Sequence, residues 1–275
     1  MNIFPSPTWL IGCGNMTGAL VDGWRSATAD FAPVTVVRPS GTPVEGVRTV
    51  TSAGQAGPPP RLVVLGFKPQ QLGEVAPQLA PYLSAKTIVL SLLAGANAAT
   101  LRRHFPGAAT IVRAMPNLAV AVRRGVTALY SEDAGDTAKA EVSRLFEHLG
   151  FGLWTLDEAR FGAVGAVAGS GPAYVARFID ALAKGGVARG LSPDTAQAIA
   201  VETVYGTGWL AASTRESMDD LARRVASPKG TTEAGLAVLD QDGRLDSLVM
   251  EVIDAAAARG TQLGSEVAGS DGLLH

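Results

Sequence analysis

Three short stretches of this chain carry the residue types that chemistry requires. The first is Gly12-Cys13-Gly14-Asn15-Met16, set between the apolar run Trp9 to Ile11 and a predicted helix over 15–27. Gly12 permits a tight turn, and Gly14 lets backbone approach a pyrophosphate. The helix start behind them offers free N–H groups and the positive end of a dipole. Thr17 stands where a third glycine would normally pack helix against strand. The second stretch, Arg38-Pro39-Ser40, follows the predicted strand Val34 to Val37, beside the expected adenosine ribose. Sites that take NAD place Asp or Glu there, and this chain has neither. Arg38 can stack on adenine and pair with a 2′-phosphate, with Ser40 adding a hydroxyl. The expected cofactor is therefore NADPH, with NADH the second choice. The third stretch is Ser227-Pro228-Lys229-Gly230-Thr231-Thr232. Its Ser-Pro pair reads as an N-cap and first helical residue. Free N–H groups near Gly230, Thr231 and Thr232 would then form an anion site. An ordinary capped helix with no ligand has the same signature.

Further loops end apolar runs in the first half. Gly66-Phe67-Lys68-Pro69 follows the run from Leu62, where ligands collect in open parallel sheets. Lys68 could reach a phosphate or a substrate carboxylate, or simply be a solvated lysine. Ser91 to Gly95, including Ala94, and Arg113-Ala114-Met115-Pro116-Asn117 end later runs. Their Gly and Pro content suggests backbone packed near a nicotinamide, although strand-end loops in any α/β protein look similar.

The elements that must position these residues alternate. Strands are predicted at Trp9 to Ile11, Val34 to Val37, Leu62 to Gly66, Thr87 to Leu92, Thr110 to Arg113 and Val126 to Tyr130. Helices are predicted over about 15–27, 70–80, 97–104 and 136–149. Short, continuously apolar strands alternating with helices indicate a Rossmann-type, doubly wound α/β sheet, placed in a domain over 1–155. From Leu156 to about Gly264 no strand is evident, and a helical domain is placed over 156–275. Ala-rich helices are predicted at Pro172 to Ala188, Thr195 to Ala212 and Ser247 to Ala258, the second opened by Ser192-Pro193-Asp194. Helices apolar nearly all round need burial on several sides, which points to an all-α dimerisation domain. The residues after about Gly264 read as a frayed tail.

With 275 residues and 47% hydrophobic content the chain can fill two domains. A formal charge of −2 gives no reason to expect nucleic acid or a membrane surface as partner. Met1 to Thr8 carry no basic region, so no signal peptide or membrane span is expected. The single cysteine, Cys13, fits a reducing cytoplasm. The three histidines lie far apart, and no metal is expected.

Taken in order, these motifs resemble the Δ1-pyrroline-5-carboxylate reductase family. The resemblance rests on Gly12-Cys13-Gly14-Asn15-Met16 with Ala19 and Gly23, on Phe67-Lys68-Pro69-Gln70, on Ala94-Gly95, and on Arg113 to Asn117. In the helical half it rests on Gly169-Ser170-Gly171-Pro172-Ala173-Tyr174, on Gly186 to Leu191, and on Ser227 to Thr232 with Gly235-Leu236. It implies NADPH-dependent reduction of a five-membered cyclic imine carboxylate to proline. It also implies an interlocked dimer through the helical domain, with higher assembly in many members. It places the substrate carboxylate around Ser227, Lys229, Gly230, Thr231 and Thr232, with the Thr232 hydroxyl on the ring nitrogen. Lys68 is the other candidate at the reacting centre. Gly12 to Met16, Arg38, Ser40, Phe67 to Pro69, Ala94, Gly95 and Asn117 would hold the cofactor.

The chain departs from the family pattern at several points. Gly162, Gly165 and Ala168 stand where Asp, Thr and Ser are usual. Leu118-Ala119 replaces Thr-Pro, and Lys229 replaces a glycine. Lost polar groups change which substrate a pocket can satisfy. The alternatives are thus a reductase of another cyclic imino acid, or a nucleotide-binding paralogue without turnover. A hydroxyacid dehydrogenase built on Lys184 is a weaker fit, since Ala188 stands where an asparagine is expected.

Overall fold

The computed structural model describes residues 1–271, with side chains to 266. Its contacts divide the chain into two compact units. One comprises Met1–Ser170 and the chain from Ala256 onward; the other is Gly171–Ala255.

The first unit opens with β1 (Thr8–Ile11), α1 (Asn15–Ser26), β2 (Val34–Val37), β3 (Arg48–Val50) and β4 (Leu62–Leu65). It continues with α2 (Leu72–Leu79), β5 (Ile88–Ser91), α3 (Ala98–His104), β6 (Thr110–Pro116) and β7 (Gly125–Tyr130). Next come α4 (Asp136–Phe146), β8 (Gly150–Trp154), α5 (Glu158–Val164) and a π-helical turn, Gly165–Gly169. The eight strands form one sheet, ordered β3-β2-β1-β4-β5-β6-β7-β8. All pairings are parallel except β6 with β7. In β1, β2, β4 and β5 every residue is buried. That is why they read as continuous apolar runs. Successive side chains serve opposite faces: Leu10, Leu20, Trp24 and Phe146 fill one core, and Trp9, Leu65, Leu72 and Phe105 the other. The Trp24 indole N–H donates to Leu145 O across 2.6 Å and ties α1 to α4.

Two strands escape the sequence pattern. β3 is three residues long and has an exposed arginine at its start. β8 contains Gly150 and Gly152 and is exposed over its first half, as an edge strand can be. It begins where the helix expected to 149 has already ended, at Phe146. The helical character expected from residue 156 starts after β8, while the first compact unit runs on to Ser170.

The second unit contains α6 (Gly171–Val187), α7 (Pro193–Thr214), α8 (Met218–Val225), α9 (Thr231–Asp240) and the start of α10 (Arg244–Asp271). Ser192 caps α7, accepting from Thr195 N, with Pro193 at the first helical position. Helix α9 begins at Thr231 with Gly230 as N-cap, not at Pro228 with Ser227 as N-cap. The tail expected after Gly264 is helix as far as Asp271, and residues 272–275 lie outside the described residues. Among the described residues no helix is long and apolar enough to cross a membrane.

The missing third glycine of the first motif has a structural answer. Thr17 is buried, and its Oγ1 lies 1.9 Å from where a Cβ on Gly66 would stand. The glycine that lets α1 approach the sheet therefore sits on the facing loop after β4 rather than on the helix. Gly66→Ala should cost about 1–3 kcal/mol through this overlap. A second change, Thr17→Gly, should recover part of that loss. Thermal unfolding followed by circular dichroism checks both, and an unaltered melting midpoint for G66A would refute the assignment.

Candidate nucleotide cleft and helix-terminal anion site

The carboxyl ends of β1, β2, β4 and β5 share one edge of the sheet, because those strands are parallel and neighbouring. An open cleft of about 590 Å³ lies there. The turn after β1 forms its centre. Gly12 has φ +82°, and an added Cβ would meet Gly66 O at 2.7 Å. The Gly12 N–H donates to Val37 O at 2.8 Å, and Gly66 N–H to Ile11 O at 2.8 Å, so the turn is held from both sides. Gly14 is the N-cap of α1 and has no side chain to occupy the first-turn N–H groups, while open space faces its Cα. These N–H groups and the helix dipole form a ready anion cradle.

Every front-half residue expected in the first two motifs lines this cleft: Gly12 to Met16, Arg38 and Ser40. Phe67, Lys68 and Pro69 line it too. Arg38 follows β2, its N–H donating to Val50 O at 2.9 Å. Ser40 Oγ lies 3.0 Å from Thr42 Oγ1, so two hydroxyls stand together on the rim. Burial pushes the Cys13 thiol above its ordinary range, partly offset by the Arg38 charge. A thiol held protonated contributes packing here rather than nucleophilic chemistry. Lys68 is exposed, and its N–H donates to Gln71 Oε1 at 3.3 Å. Thr17, Gln71 and Leu92 also line the cleft, though the sequence assigns none of them to a cofactor. Thr17 was read only as a missing glycine; Leu92 belongs to an apolar run and carries no polar signal.

Ala94, Gly95 and Asn117 do not line this cleft. Gly95 packs instead against the backbone of Leu263 in α10: a Cβ there would stand 2.8 Å from Leu263 O. Asn117 is buried, with its amide bonded to Ala168 O and Val126 N. Arg113 forms a 2.7 Å ion pair with Glu158 and lies 4.3 Å over the Phe161 ring. The same Glu158 Oε1 accepts from Ala98 N at the start of α3. One carboxylate thus joins β6, α5 and α3. Burial lowers the Arg113 pKa, opposed by Glu158.

In the second unit, Ser227 to Gly230 form a β-turn closed by Gly230 N–H to Ser227 O at 2.9 Å. Pro228 takes the first central position, as its fixed φ favours. Lys229 takes the second with φ 59°, a conformation suited to glycine. Gly230 has little room for a side chain: a Cβ would meet the Ser227 carbonyl oxygen at 2.9 Å as well as its Oγ at 2.3 Å. The turn then feeds α9, whose first residues are Thr231 and Thr232. Glu233 Oε2 accepts the Lys229 N–H at 2.6 Å. Lys184 pairs with Asp180 at 2.7 Å on an exposed helix face. Among the described residues no group of three His, Cys, Asp or Glu side chains could hold a metal.

The pyrroline-5-carboxylate reductase dimerisation family matches residues 158–263. The pyrroline-5-carboxylate reductase of Pseudomonas aeruginosa is 33% identical over 267 residues, covering 94% of this chain and 96% of the relative. That of a Synechocystis species is 38% identical, covering 74% of this chain and 76% of the relative. Among solved structures, a pyrroline-5-carboxylate reductase from Coxiella burnetii superposes with a TM-score of 0.86 at 30% identity, covering 94% of this chain and 98% of that one. The pyrroline carboxylate reductase of Plasmodium falciparum with NADP bound gives 0.82 at 25% identity, with coverage of 94% and 98%.

Arg38 lines the cleft at the end of β2, where the adenosine ribose is expected in sheets of this kind. Arg38→Ala should weaken NADPH about tenfold or more, the scale of a charge-assisted hydrogen-bonded contact. NADH affinity should change much less. Fluorescence titration with both nucleotides checks this, and equal losses would contradict the assignment.

Proposed function

The chain belongs to the pyrroline-5-carboxylate reductase family, and from that premise we propose that it reduces 1-pyrroline-5-carboxylate to proline with NADPH. The reaction is the closing step of proline biosynthesis, carried out in the cytoplasm by a homodimer joined through the helical domain, residues 156–275. The observation that carries the reading is the cleft at the carboxyl edge of the sheet, with a glycine turn at its centre and Arg38 where an acidic residue would select NAD.

The cleft fits a dinucleotide. Its wall at Gly12 is backbone, too close to Gly66 for any side chain, and the face of Gly14 is open. Gly12 to Met16 would hold the pyrophosphate, Arg38 and Ser40 the 2′-phosphate, and Phe67-Lys68-Pro69 the nicotinamide half, with Lys68 a candidate cation at the reacting end. NADPH, when bound, supplies the hydride. The rest is positioning. A protonated imine is already an electrophile, so the chain needs to orient the ring, exclude water and hold its charges. The turn Ser227 to Gly230 and the N–H groups of Thr231 and Thr232 would receive the substrate carboxylate, and the Thr232 hydroxyl would hydrogen-bond the ring nitrogen. The motifs contain no histidine and no paired carboxylates, and we assign no general base.

Dimerisation is supported by the second unit itself. Phe178, Tyr205 and Trp209 on α6 and α7 are 49%, 66% and 55% exposed, far more aromatic surface than a finished domain leaves to water.

One observation favours a second reading, reduction of a different cyclic imino acid. Lys229 holds a left-handed conformation that costs a non-glycine residue about 1 kcal/mol or more. A chain that accepts this cost while placing a cation beside the carboxylate site gains from the charge. Steady-state rates with pyrroline-5-carboxylate and its six-membered piperideine analogue separate the readings. The five-membered substrate should be preferred with NADPH; stronger turnover of the six-membered ring would favour the second reading, and none with either imine would sink both. Thr232→Val should lower kcat/KM for the imine about tenfold, the worth of one hydrogen bond to a charged group. NADPH affinity should be unmoved, and an unaltered kcat/KM would remove Thr232 from the site.

A further inference from the structure

We propose that Asn117 is a positioning residue for imine reduction, acting through the carbonyl of Ala168, and not a contact to the cofactor. The inference rests on the reductase reading above. Asn117 follows β6 and is 6% exposed. Its Nδ2 donates to Ala168 O at 3.0 Å, and its Oδ1 accepts from Val126 N at 3.2 Å. The two bonds fix the amide's orientation, since a backbone carbonyl needs a donor and a backbone N–H an acceptor. Its backbone is used too: the N–H donates to Val126 O at 3.0 Å and the carbonyl accepts from Val120 N at 3.1 Å. A side chain committed in this way has little to offer a nucleotide.

Ala168 requires such a partner for a reason written in the sequence. Its carbonyl lies in the π-helical turn that leads from α5 toward α6. In an α-helical register continued through this point it would accept the N–H four residues on. That residue is Pro172, which has no N–H. Ala168 is half-buried, and a carbonyl partly shielded from water still loses free energy without a donor; the Asn117 amide supplies one. A second contact presses the same turn onto the same strand. The Met115 Sδ lies 2.4 Å from where a Cβ on Gly165 would stand. Met115 and Asn117 therefore grip the turn at two points, Gly165 and Ala168.

The gripped backbone leads directly into Gly169-Ser170, the last residues of the first unit. It lies past the end of β6, at the sheet edge that carries the cleft. In strand order, β6 lies beyond β1, β4 and β5, on the side away from β2 and Arg38. On the reductase reading, that is the end of the row where the imine would meet the nicotinamide. A turn free to shift there would blur the position of the ring carbon, and misplacement by an ångström is costly to hydride transfer.

The experiment starts with the wild type, whose oxidation of NADPH by pyrroline-5-carboxylate must be seen first; its absence would be a failure of the reductase reading alone. Asn117→Asp keeps the acceptor and loses the donor. It should lower kcat/KM for the imine about tenfold, the net worth of one buried hydrogen bond with its geometric consequence, while NADPH affinity stays within about twofold. Asn117→Ala should lose as much, and Pro172→Ala in the same chain, by restoring an N–H to Ala168 O, should recover most of it. Wild-type kcat/KM in N117D, an equal loss of NADPH affinity, or no recovery in the double variant would each overturn the proposal. Should the Asn117 variants not fold, the second contact decides. Gly165→Ala should then depress kcat/KM without weakening NADPH, and Met115→Ala should relieve it; an active G165A, or one that M115A does not improve, would overturn the proposal equally.

Discussion

The distance at which α1 can approach the carboxyl ends of β1 and β4 governs what the first unit can bind. A pyrophosphate can reach the helix N-terminus only if backbone, and nothing larger, lines the turn. Here three constraints meet at Gly66. Its carbonyl blocks any Cβ on Gly12, its own missing Cβ accommodates the Thr17 hydroxyl, and its N–H closes on Ile11 O. The usual motif solves this contact with a glycine on the helix. In this chain a glycine on the opposing loop solves it, with a buried threonine filling the space. A fingerprint scored position by position along one element counts Thr17 as a defect, whereas the contact between two elements is intact.

The same comparison explains what was legible in the sequence. The central strands were legible because both faces are buried, so composition alone marks them. β3 and β8 were not, because a short strand with an exposed end and a glycine-bearing edge strand bury too little to leave a pattern. That the glycine turn and Arg38 share one cleft was legible because local spacing and chain position bring them to the same sheet edge. The start of α9 was misplaced by three residues: Ser-Pro opens helices and β-turns alike, and only the positive φ of Lys229 settles that it opens a turn. Nothing in composition announces that conformation for a lysine. The partnership of Asn117 with Ala168 was beyond reach for another reason: it joins residues 51 positions apart, on elements whose meeting only the fold decides.

The two units also solve burial differently. The first has a core on each face of its sheet, and charged groups that enter it are matched: Arg113 meets Glu158 and an aromatic face, and Glu158 in turn takes a backbone N–H. Removing one member of such a group would strand the others, which makes it a fixed point rather than an adjustable one. The second unit buries a cluster of Ala183, Ala196 and Ala200 with Ile179 packed against it, and leaves aromatic and branched side chains on α6, α7 and α10 in the open.

Small residues let α6 and α7 pack closely, but they remove little apolar area from water, and burial scales with that area. An Ala-rich helix pair is therefore well shaped and weakly stabilised. The large side chains that would make up the deficit, among them Phe178, Tyr205, Trp209 and Leu248, sit on the outside. The residues of the proposed carboxylate turn, Ser227 to Thr232, belong to this less self-sufficient unit, while the glycine cleft belongs to the self-sufficient one. Nucleotide binding can thus be stable in the first unit on its own terms. On the function proposed above, substrate recognition through that turn would depend on whatever completes the second unit, and assembly would then be a condition of turnover rather than an addition to it.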